Sequence, residues 1–296
     1  PKTSDALVSF GERLFTYLIF AILQQRGLPV FYVDAREIIK TNSAFSHSEV
    51  DFTLTNPLIR AYFEANKGKI GLVTGFIASN AKGETTTLGR GGSDYTASVI
   101  GAALGVKEIE IWTDVDGMMT ADPRKVKSAF TIPSISYAEA MELTHFGAKV
   151  IYPPSLQPAF AKNIPIRVLN TFNAGFKGTV VSKEPTGSPY IITGISSIDQ
   201  LALVNLQGSG MIGVAGVSAK LFTVLAREKI SVVLISQASS EHSICFAIDP
   251  AVSDKVSKVL AKEFAAEMAS GDIEGIDIQK NLSVIAVVGE GMRKHT

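Results

Sequence analysis

Residues 69–115 impose the tightest limit on what this chain can fold into. "KIGLVTGFIAS" at 69–79 is a continuous β-branched run suited to a strand covered on both faces. After the glycine-rich "TLGRGGSDYTA" at 87–97, "YTASVIGAALG" sets small and apolar residues at helical spacing up to Gly105, and "EIEIWTDV" at 108–115 reads as the next strand. Strand, glycine-rich turn, helix and strand make a βαβ crossover, which joins parallel strands. The expected fold class is α/β, a mainly parallel sheet sandwiched by helices.

Upstream, residues 4–34 read as a strand end at "DALVSFGE", a helix through "LFTYLIFAIL" at 14–23, and a strand at "VFYVDA". The apolar stretch is about half of what crosses a bilayer, so it is expected to be a buried helix in a cytoplasmic protein without a membrane partner. Downstream, "SYAE" can cap a helix over 136–148, and "IPIRVLNTF" at 164–172 suits a strand. "SKEPTGSPY" at 182–190 is the most linker-like stretch.

Beyond the linker come a strand at 201–207, a helix at 216–228, strands at 231–236 and 242–248, and a helix at 251–268. With a final strand this is the β-α-β-β-α-β order of ferredoxin-like modules. "LALVNLQGSGM" from Leu201 returns as "LSVIAVVGEGM" from Leu282, a period of 81 from Gly208 to Gly289. The expected organisation is a first domain over 1–184, a linker over 185–195, a small module over 196–280 and the start of another over 281–296. Both ends read as cuts within a longer polypeptide.

Basic and acidic side chains cancel at 28 each, so no sequence-wide field attracts nucleic acid, and a phosphate ligand must be held by local groups. Cys245, the one cysteine, sits in the apolar run "SICFAI" and suits a small buried residue. His47, His145, His242 and His295 lack metal-ligand spacing, and no protein metal site is expected.

Two glycine-rich turns compete for a ligand. Gly208, Gly210 and Gly213 have the GxGxxG spacing of a pyrophosphate seat, but the acid that would bond a ribose is misplaced: the following strand ends in Gln237, and Glu228 lies on the helix before it. The recurrence "GEGM" is followed by Arg293 and then by Lys294, which stands at the third glycine position. The turn reads as a tight strand-to-helix connection, or as exposed amides that grip an amino-acid carboxylate.

"LGRGGSDYTA" is chemically richer. Its glycines let amides approach an anion, Arg90 offers a planar fork for carboxylate or phosphate, and Ser93 and Asp94 open the helix. Asp94 alone could be no more than a cap. "WTDVDGMMTADPR" at 112–124 places Thr113 and Asp114 at a strand end facing the crevice of an open α/β sheet. Arg124 and Lys149 could meet polyphosphate or remain solvated. There is no Walker A motif; Mg²⁺ carried by phosphates is compatible with these residues.

At these residues the sequence resembles aspartokinases of the amino-acid kinase family, through "SFGERL" at 9–14, "TTTLGRGGSDYTA" at 85–97, "WTDVDGMMTADPR", "FGAKVIYPPSLQPA" at 146–159 and "QASSEHSI" at 237–244. The resemblance implies an amino-acid kinase fold followed by ACT modules. It implies that Arg90 binds a carboxylate of aspartate, Glu12 its amino group, with Ser93 beside them, and that Asp94 organises the reacting end. Thr113, Asp114, Arg124 and Lys149 would contact ATP, which brings Mg²⁺. The implied reaction is phosphorylation of L-aspartate to 4-phosphoaspartate, by positioning and charge neutralisation.

The family's phosphate loop, of the form KFGGT, has no counterpart here, which implies weak or no kinase activity for these residues alone. Met119 and Tyr152 stand where many relatives have tyrosine and histidine. "QASSE" is similar to threonine-inhibited aspartokinases, above all those fused to homoserine dehydrogenase. Met211, Gln237, Ser240 and Glu241 would then bind the effector, threonine, and ACT units would pair in a homo-oligomer. Two rivals stand beside this reading: a catalytically inert amino-acid-binding module, and an NAD(P)-dependent oxidoreductase built on GSGMIG.

Overall fold

The computed structural model describes residues 1–146, 150–185, 191–237 and 242–293. The chain divides into two compact units, Pro1–Ser196 with Ala286–Thr296, and Ser197–Ile285.

The first unit opens with α1 (Lys2–Gln25), β1 (Val30–Val33), α2 (Ala35–Ile38), β2 (Lys40–Thr41) and α3 (Phe52–Ala65). There follow β3 (Ile70–Val73), β4 (Ile77–Asn80), β5 (Thr85–Thr87), α4 (Gly92–Leu104) and β6 (Ile109–Thr113). β7 (Ser134–Ser136), α5 (Tyr137–His145), α6 (Pro153–Ala161), β8 (Ile166–Asn170) and β9 (Thr179–Ser182) complete it. β1 pairs with β3, β2 with β4, β6 with β8 and β7 with β9 in parallel, while β4–β5 and β8–β9 are antiparallel. Val33, Ile38, Ile39, Ile59, Ile77 and Val99 pack as one core of this unit, and Met118, Ile135, Leu143, Leu156, Ile166 and Val181 belong to another.

Three expectations change here. "DALVSFGE" is not a strand end, because α1 is already helical from Lys2. Nor is the apolar stretch buried: Leu14, Phe15 and Leu18 are exposed, as are Leu7 and Phe10, although α1 is long and apolar enough to cross a membrane by length and composition. The inward stripe is polar instead, with Asp5, Ser9 and Thr16 buried and Glu12 between them at helical spacing, because it meets backbone donors of the same unit. The run at 69–79 is two strands in two sheets, broken at Thr74–Phe76, where the Gly75 amide turns away to bond Glu12.

Other elements form as their residues dictate. Gly105 takes φ +63 and ends α4, as a left-handed helix cap should. Ser136 and Glu139 make the expected capping box at α5.

The second unit is built on β10 (Gly194–Gln207), α7 (Val217–Arg227), β11 (Leu234–Gln237), β12 (Ser243–Ile248), α8 (Ser253–Glu263), α9 (Ala265–Ser270) and β13 (Gly275–Val288), in sheet order β11-β12-β10-β13. β10 begins earlier than the sequence suggests, β11 later, and the helix expected over 251–268 breaks at Phe264, whose ring is buried. Val204, Leu206, Leu221, Val224, Phe246 and Leu260 form the core.

The period of 81 is physically present. Gly208 presses on the backbone of Asp272–Ile273 and Gly210 on Asp272, and Gly289 and Gly291 press on the backbone of Ile191–Ile192. The Glu274 amide donates to Gln207 O and the Thr193 amide to Val288 O, each at 2.8 Å, and Gln200 and Asn281 both take positive φ. Every one of these pairs is one period apart. Residues 186–190 of the expected linker lie outside the described residues.

Candidate functional site

The loop between β5 and α4 owes its shape to three glycines, each pressed by a different neighbour. A Cβ on Gly89 would strike the His47 ring, one on Gly91 the Tyr152 side chain, and one on Gly92 would lie 2.6 Å from Phe76 Cβ. Gly89 and Gly91 also have φ of +74 and +66, which other residues adopt only at a cost. Arg90, between them, is exposed and unpaired among the described residues. The loop thus holds its backbone tightly and leaves one guanidinium free for a ligand.

Glu12 and Ser93 meet at Gly75. Glu12 Oε1 accepts from the Gly75 amide at 2.5 Å, and a Cβ on Gly75 would fall 2.8 Å from Ser93 Oγ and 3.2 Å from Glu12 Oε1. The space between these side chains stays open only because residue 75 is glycine. Beside Glu12, Arg13 pairs with Asp34 at 3.3 Å. Burial would push the Asp34 carboxyl up, but the hydrogen bonds and charge of Arg36, with Arg13, hold it below its ordinary range.

Asp94, in the first turn of α4, has no such company among the described residues, and burial pushes its carboxyl above the ordinary range. Among the sequence-predicted substrate residues, Glu12, Ser93 and Asp94 therefore gather with Arg90 around the N-terminus of α4, where helix amides favour an anion. Sequence reasoning missed Gly75 and Asp5. The signal for Asp5 was the polar stripe Asp5, Ser9, Glu12, Thr16 on an otherwise apolar helix.

The proposed nucleotide residues are less assembled. Thr113 ends β6, and its hydroxyl donates to Asp114 Oδ1 at 3.2 Å. Two residues on, Asp116 accepts from Asn170 at 2.8 Å and Asn173 at 3.1 Å, tying this loop to the end of β8. Arg124 is not a free cation: its guanidinium is engaged by Asp122 at 3.0 and 2.9 Å. Lys149 lies outside the described residues. Among the described residues no group of three His, Cys, Asp or Glu side chains is gathered to hold a metal.

In the second unit a cavity of 330 Å³ is lined by Met211, Val214, Gly216, Ser218, Gln237 and Ile244. Met211 is buried and Gln237 exposed, so an apolar floor faces a polar rim. Ser240 and Glu241 lie outside the described residues. Gly208 and Gly210 are used up in close contact with Asp272 and Ile273, which leaves no pyrophosphate approach at those positions.

Comparison with known proteins agrees with this division. Residues 1–170 match the amino acid kinase family and residues 204–264 the ACT domain. The bifunctional aspartokinase/homoserine dehydrogenase of Haemophilus influenzae is 41% identical over 96% of this chain and 35% of its own length. Lysine-sensitive aspartokinase 3 of Escherichia coli is 35% identical over 99% of this chain and 65% of its own. The crystal structure of E. coli aspartokinase III with aspartate and ADP superposes with a TM-score of 0.82 at 33% identity, over 99% of this chain and 65% of that one. This chain thus spans about a third of the bifunctional relative and 65% of the E. coli enzyme. With a family match over more than half of its residues, and with the loop and fold described above, the chain belongs to the amino acid kinase family.

Proposed function

We propose that this chain carries the aspartate site and a regulatory module of an aspartate kinase, which transfers the γ-phosphoryl group of ATP to the side-chain carboxylate of L-aspartate. The observation that carries this reading is the convergence of Glu12 and Ser93 on the Gly75 gap, with Ser93 three residues along the chain from Arg90, which is unpaired among the described residues. Arg90 takes a substrate carboxylate in a bidentate pair and Glu12 takes the ammonium group. An oxygen of the other carboxylate attacks the γ-phosphorus, the bond to the β–γ bridging oxygen breaks, and ADP leaves.

The acceptor is already ionised at neutral pH, so this chain's task is orientation, with Asp94 organising the reacting end. Thr113 and Asp114 receive the nucleoside, and Arg124, once it leaves Asp122, and Lys149 meet the phosphates. Mg²⁺ enters with those phosphates and neutralises their charge when bound. Assay of the natural polypeptide for ADP release with and without L-aspartate tests the reading. Aspartate-dependent release is expected, and release indifferent to aspartate would overturn it.

The cavity beside Met211 and Gln237 is proposed as the effector site. E. coli aspartokinase III has been crystallised with lysine and aspartate in a T-state. Here threonine is the favoured ligand: the apolar floor takes its methyl group and Gln237 its hydroxyl or ammonium group. Calorimetric titration with L-threonine and L-lysine separates the two.

A second module opening near residue 281 is proposed on the repeat. Ile285 and Val287 stand one period after the buried Val204 and Leu206, yet are 69% and 45% exposed. A further helical layer and pairing with a second copy would cover such positions.

A further inference from the structure

Asp5 is a buried carboxylate with no part in the chemistry above. It is 2% exposed and points from α1 into the unit, where Oδ2 accepts from the Ser46 amide at 2.8 Å and the Thr87 amide at 3.0 Å, and Oδ1 from the Ser46 hydroxyl at 3.2 Å. Ser46 is a non-glycine residue at φ +73, a left-handed conformation that persists only when its surroundings hold it. The turn it makes seats His47, and both Ser46 O and the His47 ring press on Gly89. Thr87 lies three residues before Arg90, and Glu12 lies two helical turns after Asp5 on the same stripe of α1.

We infer that Asp5 is a positioning residue that sets the spacing between Glu12 and Arg90, the two groups assigned above to the ammonium and carboxylate of aspartate. Its carboxylate joins the helix carrying one to both supports of the loop carrying the other. The inference rests on the proposed aspartate site for its substrate, but not for its geometry.

The test compares Asp5→Leu, which keeps the bulk and removes both acceptor oxygens, with Asp5→Asn in the natural polypeptide. The asparagine carbonyl can take both amides while its NH₂ turns to the Ser46 hydroxyl, so this variant should stay within about 3-fold of wild type, the cost of one weakened hydrogen bond. Asp5→Leu should raise KM for aspartate by about 10- to 100-fold, as misplacement of binding groups does, with KM for ATP little changed. Amide hydrogen exchange across residues 86–92 should quicken in Asp5→Leu and not in Asp5→Asn.

A folded Asp5→Leu variant with wild-type exchange in that loop overturns the inference, whatever the substrate. Faster exchange in a protein whose wild type shows no aspartate dependence upholds the positioning role and sinks the aspartate reading instead. Should Asp5→Leu not fold, Ser46→Ala removes one of the three bonds at the turn and should give a smaller shift in KM for aspartate alone. An equal rise in KM for ATP would then overturn the inference.

Discussion

The two glycine-rich turns, residues 88–92 and 207–213, look alike in sequence and differ in what presses on their glycines. Side chains of three separate segments, His47, Phe76 and Tyr152, fill the space a Cβ would take at 89–92. At Gly208 the neighbour is backbone, the Asp272–Ile273 segment of the chain leading into β13, and at Gly210 it is Asp272 itself, through Cα, Cβ and Oδ1. Side-chain neighbours shape a loop while leaving its own residues outward, so Arg90 is free. Backbone neighbours make the glycines part of the sheet. The lesson is that a glycine pattern states how close something comes, and only the surroundings state whether that something is a ligand.

Removing the free cation should have the largest effect. Arg90→Ala deletes a charge-assisted bidentate pair and should raise KM for aspartate by about 100-fold. Because Arg90 is exposed and, among the described residues, unpaired, the melting temperature should not move. Steady-state kinetics beside a thermal melt checks both, and a destabilised variant would show that Arg90 belongs to the architecture as Gly208 does.

The other turn breaks through packing. Gly210→Ala drives a methyl group into Asp272 and should destabilise the second unit by about 1–3 kcal/mol or more. Gly213→Ala is the control: its φ is +71 but an added Cβ would meet no atom within 4 Å, so the conformational cost of about 1 kcal/mol is the one expected. Urea melts that rank the two equally would sink the distinction between contact and conformation.

Much of this was legible in sequence, for reasons that can be named. α4 follows from its spacing and Gly105, and α5 from Ser136 and Glu139. α1 was misjudged because apolar content was taken for burial. Its buried face is the polar one, since Asp5 and Glu12 meet backbone amides that no local pattern reveals. The break at Gly75 was hidden for the same reason, as its amide bonds a residue 63 positions away. Arg124 shows the converse: its cationic character was plain, but Asp122 two residues before it takes the guanidinium.

A smaller effect belongs to the effector cavity. Gln237→Ala removes its polar rim and leaves the Met211 floor, so the effector concentration for half-maximal inhibition should rise about 5- to 10-fold, the worth of one hydrogen bond. Turnover without effector should hold. If basal activity fell as well, the cavity would be serving the fold and not a ligand.

The smallest effect sharpens the first loop again, through pH. Burial raises the Asp94 carboxyl above its ordinary range, opposite to the usual carboxylate stabilised by a partner. Well below pH 3.8 both folded and unfolded chains hold the proton, and Asp94 is neutral toward stability. As pH rises, the unfolded chain releases its proton first, and from the folded pKa upward the fold carries an ionised group it would rather keep protonated. Asp94→Asn should therefore melt higher than wild type at pH 7, by an amount that solvent screening of this half-buried group keeps small. The gain should vanish toward pH 3, while turnover falls at every pH. The helix N-terminus acts against this, favouring negative charge in its first turn. A variant that melts at or below wild type at pH 7 would mean that the helix outweighs burial, and Asp94 would then be a cap instead of a strained group held for its chemistry.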